Sequence, residues 1–168
     1  YVGQLVELEE QVNQGQGRRE TNYIFLGATR IAAVTGSEID YYHMDHLGSG
    51  NVISDATGKQ RSLIEYEAFG KISRFERFGE KIKTGWCYFN DKPLDDETGL
   101  MFYGARYYNP SLGRFITPDT IVQNPGGNPQ TLNRYTYCNN NPVNAIDPTG
   151  HKWSWKKFWH GFVGAVVG

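Results

Sequence analysis

Short runs of alternating apolar and polar residues, separated by glycine-containing turns, dominate the first half of the chain. The segments YVGQLVELEE and NYIFLGATRIAAV each predict a strand, and the polar stretch QVNQGQGRRETN predicts a loop between them. Further along, NVIS and IEYEAFGK also predict strands, and DHLGSGN and DATGK predict turns. The pattern therefore predicts antiparallel hairpins with one face packed against other elements.

The segment Thr98–Gly150 has a different composition but leads to the same fold class. It is rich in aromatic residues, glycine, asparagine and proline. Aromatic residues favour strands, and the dipeptides NP, DP, GG and TG mark tight turns. We therefore expect short strands with abrupt corners between them.

The last segment, His151–Gly168, carries a helical pattern instead. Its large apolar residues fall at i, i+3, i+4, i+7 and i+8, on one helical face: Trp155, Phe158, Trp159, Phe162 and Val163. Lysines lie largely on the opposite face. The pattern predicts a short amphipathic helix, which we interpret as the start of a variable C-terminal region or its linker. A basic helix that contacts a membrane is the alternative.

Composition agrees with a folded, β-rich chain and argues against nucleic-acid binding. Among 168 residues, 14% are aromatic and 20 are glycine, while the net charge is only −1. A net charge so close to zero does not indicate the basic surface that nucleic-acid-binding proteins carry. The segment Lys71–Glu97 does interleave basic and aromatic residues, but its acidic residues favour a solvated sheet face. Because the sequence starts at Tyr1 rather than Met, we expect it to be part of a longer protein.

One cluster combines residue types that bind metals. His43, Asp45 and His46 supply imidazole and carboxylate ligands within four positions. The favoured interpretation is structural: Asp45 caps a turn, and the histidines hydrogen-bond to the backbone.

Two further features could be linked to metals or to a disulfide bond. The acidic turn Asp95–Glu97 has ligands suited to calcium. Cys87 and Cys138 lack further ligands at metal spacing, so they form one disulfide or none. We expect neither a metal ion nor a cofactor.

Four segments resemble the core of the RHS/YD-repeat proteins. They are DHLGS at Asp45–Ser49, EYEAFG at Glu65–Gly70, DDETGLMFYGARYYNPSLGRF at Asp95–Phe115 and NRYTYCNNNPVNAIDPTG at Asn133–Gly150. The resemblance implies an all-β fold in which antiparallel hairpins form a spirally wrapped shell, closed by the core segment, with a short C-terminal helix. It implies three divisions: the end of a YD-repeat array at 1–40, the core with an autoprotease segment at 41–150, and the start of a variable toxin region at 151–168.

The same resemblance implies a function. Such a core belongs to a polymorphic toxin, related to the C component of insecticidal Tc toxins, that encapsulates a C-terminal toxin domain and releases it by intramolecular aspartyl autoproteolysis. The implied partners are the upstream YD-repeat shell, the toxin domain, a cognate immunity protein and a component of a secretion apparatus. The implied location is secreted or delivered through the cell envelope of a bacterium. A non-cleaving shell and a carbohydrate-binding surface module are the alternatives.

Taken residue by residue, the resemblance places a catalytic carboxylate pair at Asp119 and Asp147, with Arg106 in the same site. Two carboxylates a few ångströms apart cannot both ionise easily, so one keeps a proton that it can donate. The other accepts a proton from the attacking water. Arg106 would hold the ionised carboxylate or orient the cleaved strand. On the residues alone, turn capping by the aspartates and bracing of a strand pair by Arg106 is the alternative.

The expected cut follows the DPTG motif, at the bond between His151 and Lys152, with Gly150–His151 as the alternative. Pro148 and Gly150 bend the chain away from a strand, and glycine presents no side chain that would obstruct the next peptide bond. Composition also changes here, from asparagine-rich turns to the tryptophan- and lysine-rich segment.

The sequence departs from the family pattern at three positions near this site. Asp119 lies in Pro118-Asp119-Thr120 instead of a first DPxG motif, and the spacer to the second motif is longer. Asn109 stands where the family usually has aspartate. His151 occupies a position that is commonly apolar. The last departure is expected to slow the cut, because an imidazole fits an apolar subsite less well.

Overall fold

Seven antiparallel strands form the larger of the sheets. We describe them from a computed structural model, which covers residues 2–7, 21–27, 29–78, 88–122 and 129–155, with the backbone alone for 2–7 and Trp155. The strands pair strictly in chain order: β1 Val2–Glu7, β2 Thr21–Leu26, β3 Thr29–Thr35, β4 Glu38–Met44, β5 Gly50–Asp55, β6 Gln60–Tyr66 and β7 Ile72–Arg77. The predicted architecture of antiparallel hairpins is confirmed.

One strand prediction is wrong. The segment NYIFLGATRIAAV forms two strands, β2 and β3, rather than one. Gly27 has a φ of +63°, a conformation that favours glycine, and the chain reverses there. A single glycine and the short polar pair Thr29-Arg30 are the signals for this turn, and the apolar runs that flank them favour one continuous strand. Most of the predicted polar loop before β2 lies outside the described residues.

Three hairpin turns of the large sheet share one design, which we call the acid-x-x-Gly turn. An acidic residue opens each turn, and the glycine three positions later adopts a φ between +82° and +85°. The glycine N–H donates to the carbonyl of the acidic residue at 2.8 to 3.0 Å. The three turns are Asp45–Gly48, Asp55–Gly58 and Glu67–Gly70.

In the two aspartate turns, the side chain of the acid also takes part. The Oδ1 atom of Asp45 accepts hydrogen bonds from the backbone N–H groups of Leu47 and Ser49, each at 2.8 Å. Asp55 accepts equivalent bonds from the residues two and four positions later. Sequence signals such as DHLG and DATG thus encode the corners of the sheet.

Replacing Gly70 by alanine tests how tightly these corners pack. A Cβ at Gly70 would lie 2.3 Å from the Phe89 ring, whereas a Cβ at Gly58 would meet nothing within 4 Å. Both glycines have nearly the same φ, so the backbone strain of an alanine is common to both variants. We expect Gly70→Ala to lower the free energy of unfolding by about 1–3 kcal/mol more than Gly58→Ala, as overpacking does elsewhere. Urea denaturation would measure the difference, and equal losses would contradict the packing.

In the described ranges after the large sheet, the chain forms two smaller sheets and three short 3₁₀ helices. The strands β8 Leu94–Asp95, β9 Leu100–Phe102, β10 Tyr107–Asn109 and β11 Arg114–Phe115 form an antiparallel sheet in the order β11-β10-β9-β8. The last two strands, β12 Ala145–Ile146 and β13 Ser154–Trp155, pair with each other. The 3₁₀ helices are Phe89–Asp91, Pro129–Leu132 and Cys138–Asn140.

Three fully buried tyrosines form the centre of the C-terminal half. The rings of Tyr103, Tyr108 and Tyr137 lie 4.7 to 5.7 Å from one another, measured between centroids. Their hydroxyl groups are all paired, which buried polar groups require. Tyr103 and Tyr137 donate to Oδ1 of Asn90, and Tyr108 donates to the carbonyl oxygen of Phe69 at 2.7 Å. Burial raises the pKa of Tyr103 well above its usual value.

The residues considered as metal ligands make structural contacts. As expected, Asp45 caps its turn, and His46 Nε2 lies 2.8 Å from a backbone group, the carbonyl oxygen of Val143. The expected backbone contact of His43 is wrong, because its Nε2 lies 2.8 Å from the side-chain hydroxyl of Ser54. Of these contacts, the bond from His46 to Val143 joins distant parts of the chain. Within the described ranges, no group of three or more histidine, cysteine or acidic residues is arranged to hold a metal ion.

The C-terminal helix prediction falls mostly outside the described residues. Trp155, which the helical pattern placed first on the apolar face, ends strand β13 instead. Among the described residues, no helix is long and apolar enough to cross a membrane. Cys138 is buried and unpaired, and Cys87 lies outside the described ranges. The division at residue 40 stays a prediction, since strand β4 runs through it.

Candidate functional site

A buried arginine lies at the centre of the site. Arg106 follows β9 in the short loop that leads to β10, and its side chain is 4% exposed. The guanidinium carbon lies 3.6 Å from the centroid of the Phe115 ring, which is a cation–π distance. Burial lowers the pKa of Arg106, while the nearby carboxylates act in the opposite direction. The core thus holds a cation in one fixed position.

The guanidinium of Arg106 brings together both predicted aspartates. Its Nη2 atom lies 3.0 Å from Oδ2 of Asp119 and 3.5 Å from Oδ2 of Asp147. The Nη1 group donates to the carbonyl oxygen of Arg134 at 2.9 Å, and the Nε group donates to the carbonyl oxygen of Gly150. The planar fork of arginine can make all these contacts at once, which a lysine cannot.

Asp119 is held from several directions. Its Oδ1 atom accepts the N–H of Ile121 at 2.9 Å and lies 2.9 Å from Nδ1 of His151. Its backbone pairs with Arg134: the N–H of Asp119 donates to the Arg134 carbonyl at 2.9 Å, and the Arg134 Nε donates back at 2.6 Å. Burial acts to raise the pKa of Asp119, but the Ile121 and His151 hydrogen bonds and the charge of Arg106 hold the pKa below its usual value.

Asp147 opens a turn that is related to the acid-x-x-Gly turns of the large sheet. Gly150, three positions later, has a φ of +76°. The Oδ1 atom of Asp147 accepts the backbone N–H groups of Thr149 at 3.2 Å, Gly150 at 2.9 Å and Lys152 at 3.1 Å.

The DPTG turn differs from the hairpin turns by one residue. In the hairpin turns, the last N–H that reaches the aspartate belongs to the residue four positions later. Here that N–H belongs to Lys152, five positions later. His151 is the extra residue, so the chain bulges at the two peptide bonds where we expect cleavage.

Further contacts fix this turn in place. Lys92 Nζ donates to the carbonyl oxygen of Pro148 at 2.7 Å, and the N–H of Ala105 donates to the carbonyl oxygen of Thr149 at 3.2 Å. A Cβ on Gly150 would lie 2.9 Å from the carbonyl oxygen of Tyr103. Only glycine therefore fits this position without displacing backbone.

The sequence analysis grouped Asp119, Asp147 and Arg106, and the structure brings these three side chains together. It did not anticipate that the arginine lies between the two carboxylates, nor the contacts of Arg134 and Lys92. Arg134 lies in the segment NRYTYCNNNPVNAIDPTG, but the resemblance assigned it no role, and Lys92 lies outside the four segments that resemble the family. Asn109, which departs from the family pattern, accepts the N–H groups of the two residues at the end of its own turn, as an aspartate would.

Comparison with known proteins assigns the family. The sequence profile of the teneurin YD-shell matches residues 7–143. The chain belongs to the YD-shell family. The predicted relationship to RHS/YD-repeat proteins is thereby confirmed, and the chain is related to Tc toxins and polymorphic toxins.

Two curated relatives and one solved structure illustrate the relationship. The chain is 38% identical over 117 residues to the tRNA(Glu)-specific nuclease WapA of Bacillus subtilis subsp. natto. The aligned region covers 68% of the chain and 5% of the nuclease. The chain is also 44% identical over 136 residues to the toxin subunit YenC2 of Yersinia entomophaga. This aligned region covers 80% of the chain and 13% of the subunit.

The crystal structure of TcdB2-TccC3-Cdc42 has the same fold. It superposes with a TM-score of 0.65 at 26% identity, over 83% of the chain and 7% of that structure's chain. The chain thus spans a small part of each of these proteins. Their toxin and nuclease activities are properties of much longer molecules.

Proposed function

We propose that this chain closes a YD-repeat shell and cuts itself once, after the DPTG turn, so that the segment behind the turn is released. The observation that carries the proposal is the contact between Asp147 Oδ1 and the backbone N–H of Lys152 at 3.1 Å. That nitrogen is the leaving group if the bond between His151 and Lys152 is hydrolysed. In the uncut chain Asp147 accepts this N–H. When water has added to the carbonyl carbon, the nitrogen regains a basic lone pair, and a protonated Asp147 is within reach to protonate it.

The second carboxylate has the properties of a general base. Asp119 is buried, and its lowered pKa keeps it ionised. In the proposed reaction, Asp119 takes a proton from a water molecule whose oxygen attacks the carbonyl carbon of His151. Asp147 gives its proton to the nitrogen of Lys152 as the C–N bond breaks. The products are a carboxyl group on His151 and an amine on Lys152, and Asp119 retains the proton from water.

Arg106 gives this pair its charge balance. Two carboxylates that hold one proton carry a single negative charge, and one guanidinium contacts both of them. A buried ion group of this kind is tolerated because its charges are compensated and its hydrogen bonds are satisfied. The same arginine also donates to the carbonyl oxygen of Gly150. That contact would polarise the neighbouring bond, so Gly150–His151 stays the alternative site of the cut.

The partners of the reaction follow from the family. We propose that the upstream YD-repeat shell surrounds the site, that residues 151–168 begin the variable region, and that a toxin domain follows it. An immunity protein that binds this toxin, a secretion component and delivery outside the producing bacterium belong to the same proposal. The relationship to YenC2, a toxin subunit, supports it.

The contacts of Arg106 also suit a second function, in which the chain closes the shell without cutting. Arg106 joins Gly150, Arg134 and the two aspartates, which lie far apart in the sequence. Such a buried ion group locks the end of the chain onto the core whether or not a bond breaks. The same experiment distinguishes the two functions.

That experiment is mass spectrometry and N-terminal sequencing of the chain expressed within its complete gene product. Hydrolysis at the expected bond gives a new fragment that begins Lys152-Trp153. A fragment that begins at His151 would assign the cut to the alternative bond. A protein that keeps its full mass after prolonged incubation in the folded state would refute self-cleavage and favour the locked shell.

A further inference from the structure

We propose that His151 is a positioning residue for Asp119, and that protonation of its imidazole slows the cut. This inference rests on the proposed function and assigns to it a regulation that is specific to this chain. His151 lies immediately behind the DPTG turn, at the residue whose two peptide bonds are the expected and alternative cleavage sites. His151, whose own peptide bond is hydrolysed in the proposed reaction, would thus help to orient the Asp119 carboxylate that activates the attacking water.

The contact is direct and involves a defined nitrogen. Nδ1 of His151 lies 2.9 Å from Oδ1 of Asp119, whose side chain is 4% exposed. An ionised carboxylate is only an acceptor, so a neutral imidazole must carry its proton on Nδ1 to make this bond. The imidazole therefore orients Asp119 together with the N–H of Ile121 and leaves the second imidazole nitrogen without its own proton.

The bulge in the DPTG turn explains why this residue reaches Asp119. In the acid-x-x-Gly turns, the residue after the glycine supplies the last N–H to the turn aspartate. Here Lys152 takes that role, and His151 is the additional residue between Gly150 and Lys152. Its backbone is released from the capping of Asp147, and its side chain is directed at the other carboxylate.

The surroundings of His151 give its protonation a consequence. The imidazole is 33% exposed, so protons from solvent can reach it. Among the described residues, the charged groups around the site are the carboxylates of Asp119 and Asp147, the guanidinium groups of Arg106 and Arg134, and the ammonium group of Lys92. A proton on the imidazole adds a second cation in contact with Asp119. The carboxylate then becomes a weaker base toward water, so acid should slow the reaction.

The pH profile of self-cleavage tests this mechanism. The full-length protein is unfolded from inclusion bodies and refolded at pH values between 5 and 8, and the cut fraction is followed by intact mass. We compare the wild type with His151→Asn, since an asparagine amide can donate to Asp119 but does not titrate, and with His151→Leu, which cannot donate. Effects of pH on folding and on groups that His151 does not contact are common to all three proteins and cancel in the ratios of their rates, and His151→Asn keeps a donor to Asp119.

We expect the rate of the wild type relative to His151→Asn to fall about fivefold or more from pH 8 to pH 5.5, the interval in which histidines change charge. The ratio of the asparagine to the leucine variant should stay constant over the same interval. A wild-type profile parallel to that of His151→Asn would overturn the inference.

A structure of the uncut Asp147→Asn protein at pH 8 supplies a test that does not depend on cleavage. It should show the imidazole within hydrogen-bond distance of Asp119, and a ring directed elsewhere would refute the positioning role. If the wild type stays uncut at every pH, the proposed function fails and the pH effect fails with it. The ring position then still decides whether His151 contacts Asp119.

Discussion

Exchanging Asp147 for asparagine is expected to slow self-cleavage by at least about 100-fold, which is the lower end of what general acid–base groups contribute. The amide keeps the size of the side chain, and its oxygen can still accept the N–H groups of the turn. It cannot carry the proton that the leaving nitrogen of Lys152 needs. In addition, an amide NH₂ in place of Oδ2 would face the N–H groups of Arg106, so two donors would oppose each other.

The appropriate control for this exchange is Asp55→Asn. Asp55 opens an exposed acid-x-x-Gly turn and caps it with the same oxygen. The control therefore makes the same chemical change in a related turn without touching the site, and it should leave the cut fraction unchanged. Intact mass after a fixed incubation gives both results. Normal cleavage by Asp147→Asn, with correct folding, would remove the aspartate pair from the mechanism.

Exchanging Arg106 for methionine is expected to lower the free energy of unfolding by about 3–5 kcal/mol, the range found when one partner of a buried ion pair is removed. Methionine has a similar length and can still pack on Phe115. It leaves the two buried carboxylates that Arg106 contacts without a compensating cation. It also removes the arginine donor from the carbonyl oxygen of Gly150, while the carbonyl oxygen of Arg134 keeps only the N–H of Asp119. Arg114→Met is the control, since Arg114 is exposed on a neighbouring strand.

The pH dependence of this loss provides an independent check. The pKa of Asp119 is lowered in the folded protein, partly by Arg106. This lowered pKa stabilises the folded protein at pH values above the pKa that Asp119 has in the unfolded chain. The stabilisation is lost as the pH falls through the pKa that Asp119 has in the folded protein. The difference in stability between wild type and Arg106→Met should therefore be largest near neutral pH and should shrink below about pH 4, near the reference pKa of aspartate. A difference that is constant with pH would show that packing, not charge, causes the loss.

The parts of this fold that could be predicted are those with local causes. Alternation of apolar residues predicted the hairpins of the large sheet, and DHLG and DATG predicted its corners, because each feature depends on a few adjacent residues. The turn at Gly27 escaped prediction because one glycine and a short polar pair separate two apolar runs that together resemble one strand. Likewise, strand β13 includes Trp155 because it pairs with Ala145, a contact that a helical pattern in the sequence cannot reveal.

The candidate site shows the same division between local and distant causes. The resemblance to RHS proteins singled out Asp119, Asp147 and Arg106, and the proximity of these residues in space agrees with that grouping. The bond from His151 to Asp119 and the pairing of Arg134 with Asp119 join residues 32 and 15 positions apart. They depend on how the C-terminal segment returns across the small sheet. One sequence without relatives aligned to it carries no signal for such contacts.

The contacts that hold the DPTG turn have a consequence for the reverse reaction. Lys92 holds Pro148, Arg106 holds the carbonyl of Gly150, and Asp147 accepts the N–H groups of Thr149 and Gly150. All of these groups stay on the shell side of the expected cut, whereas the N–H of Lys152 and strand β13, which pairs with β12, belong to the downstream segment. Directly after the expected cut, the new amine is still at a very high effective concentration beside the site. Once the released segment moves away, that concentration falls to its bulk value, while the turn remains closed. In the proposed reaction, resealing of the bond then becomes negligible, and we expect each molecule to act only once.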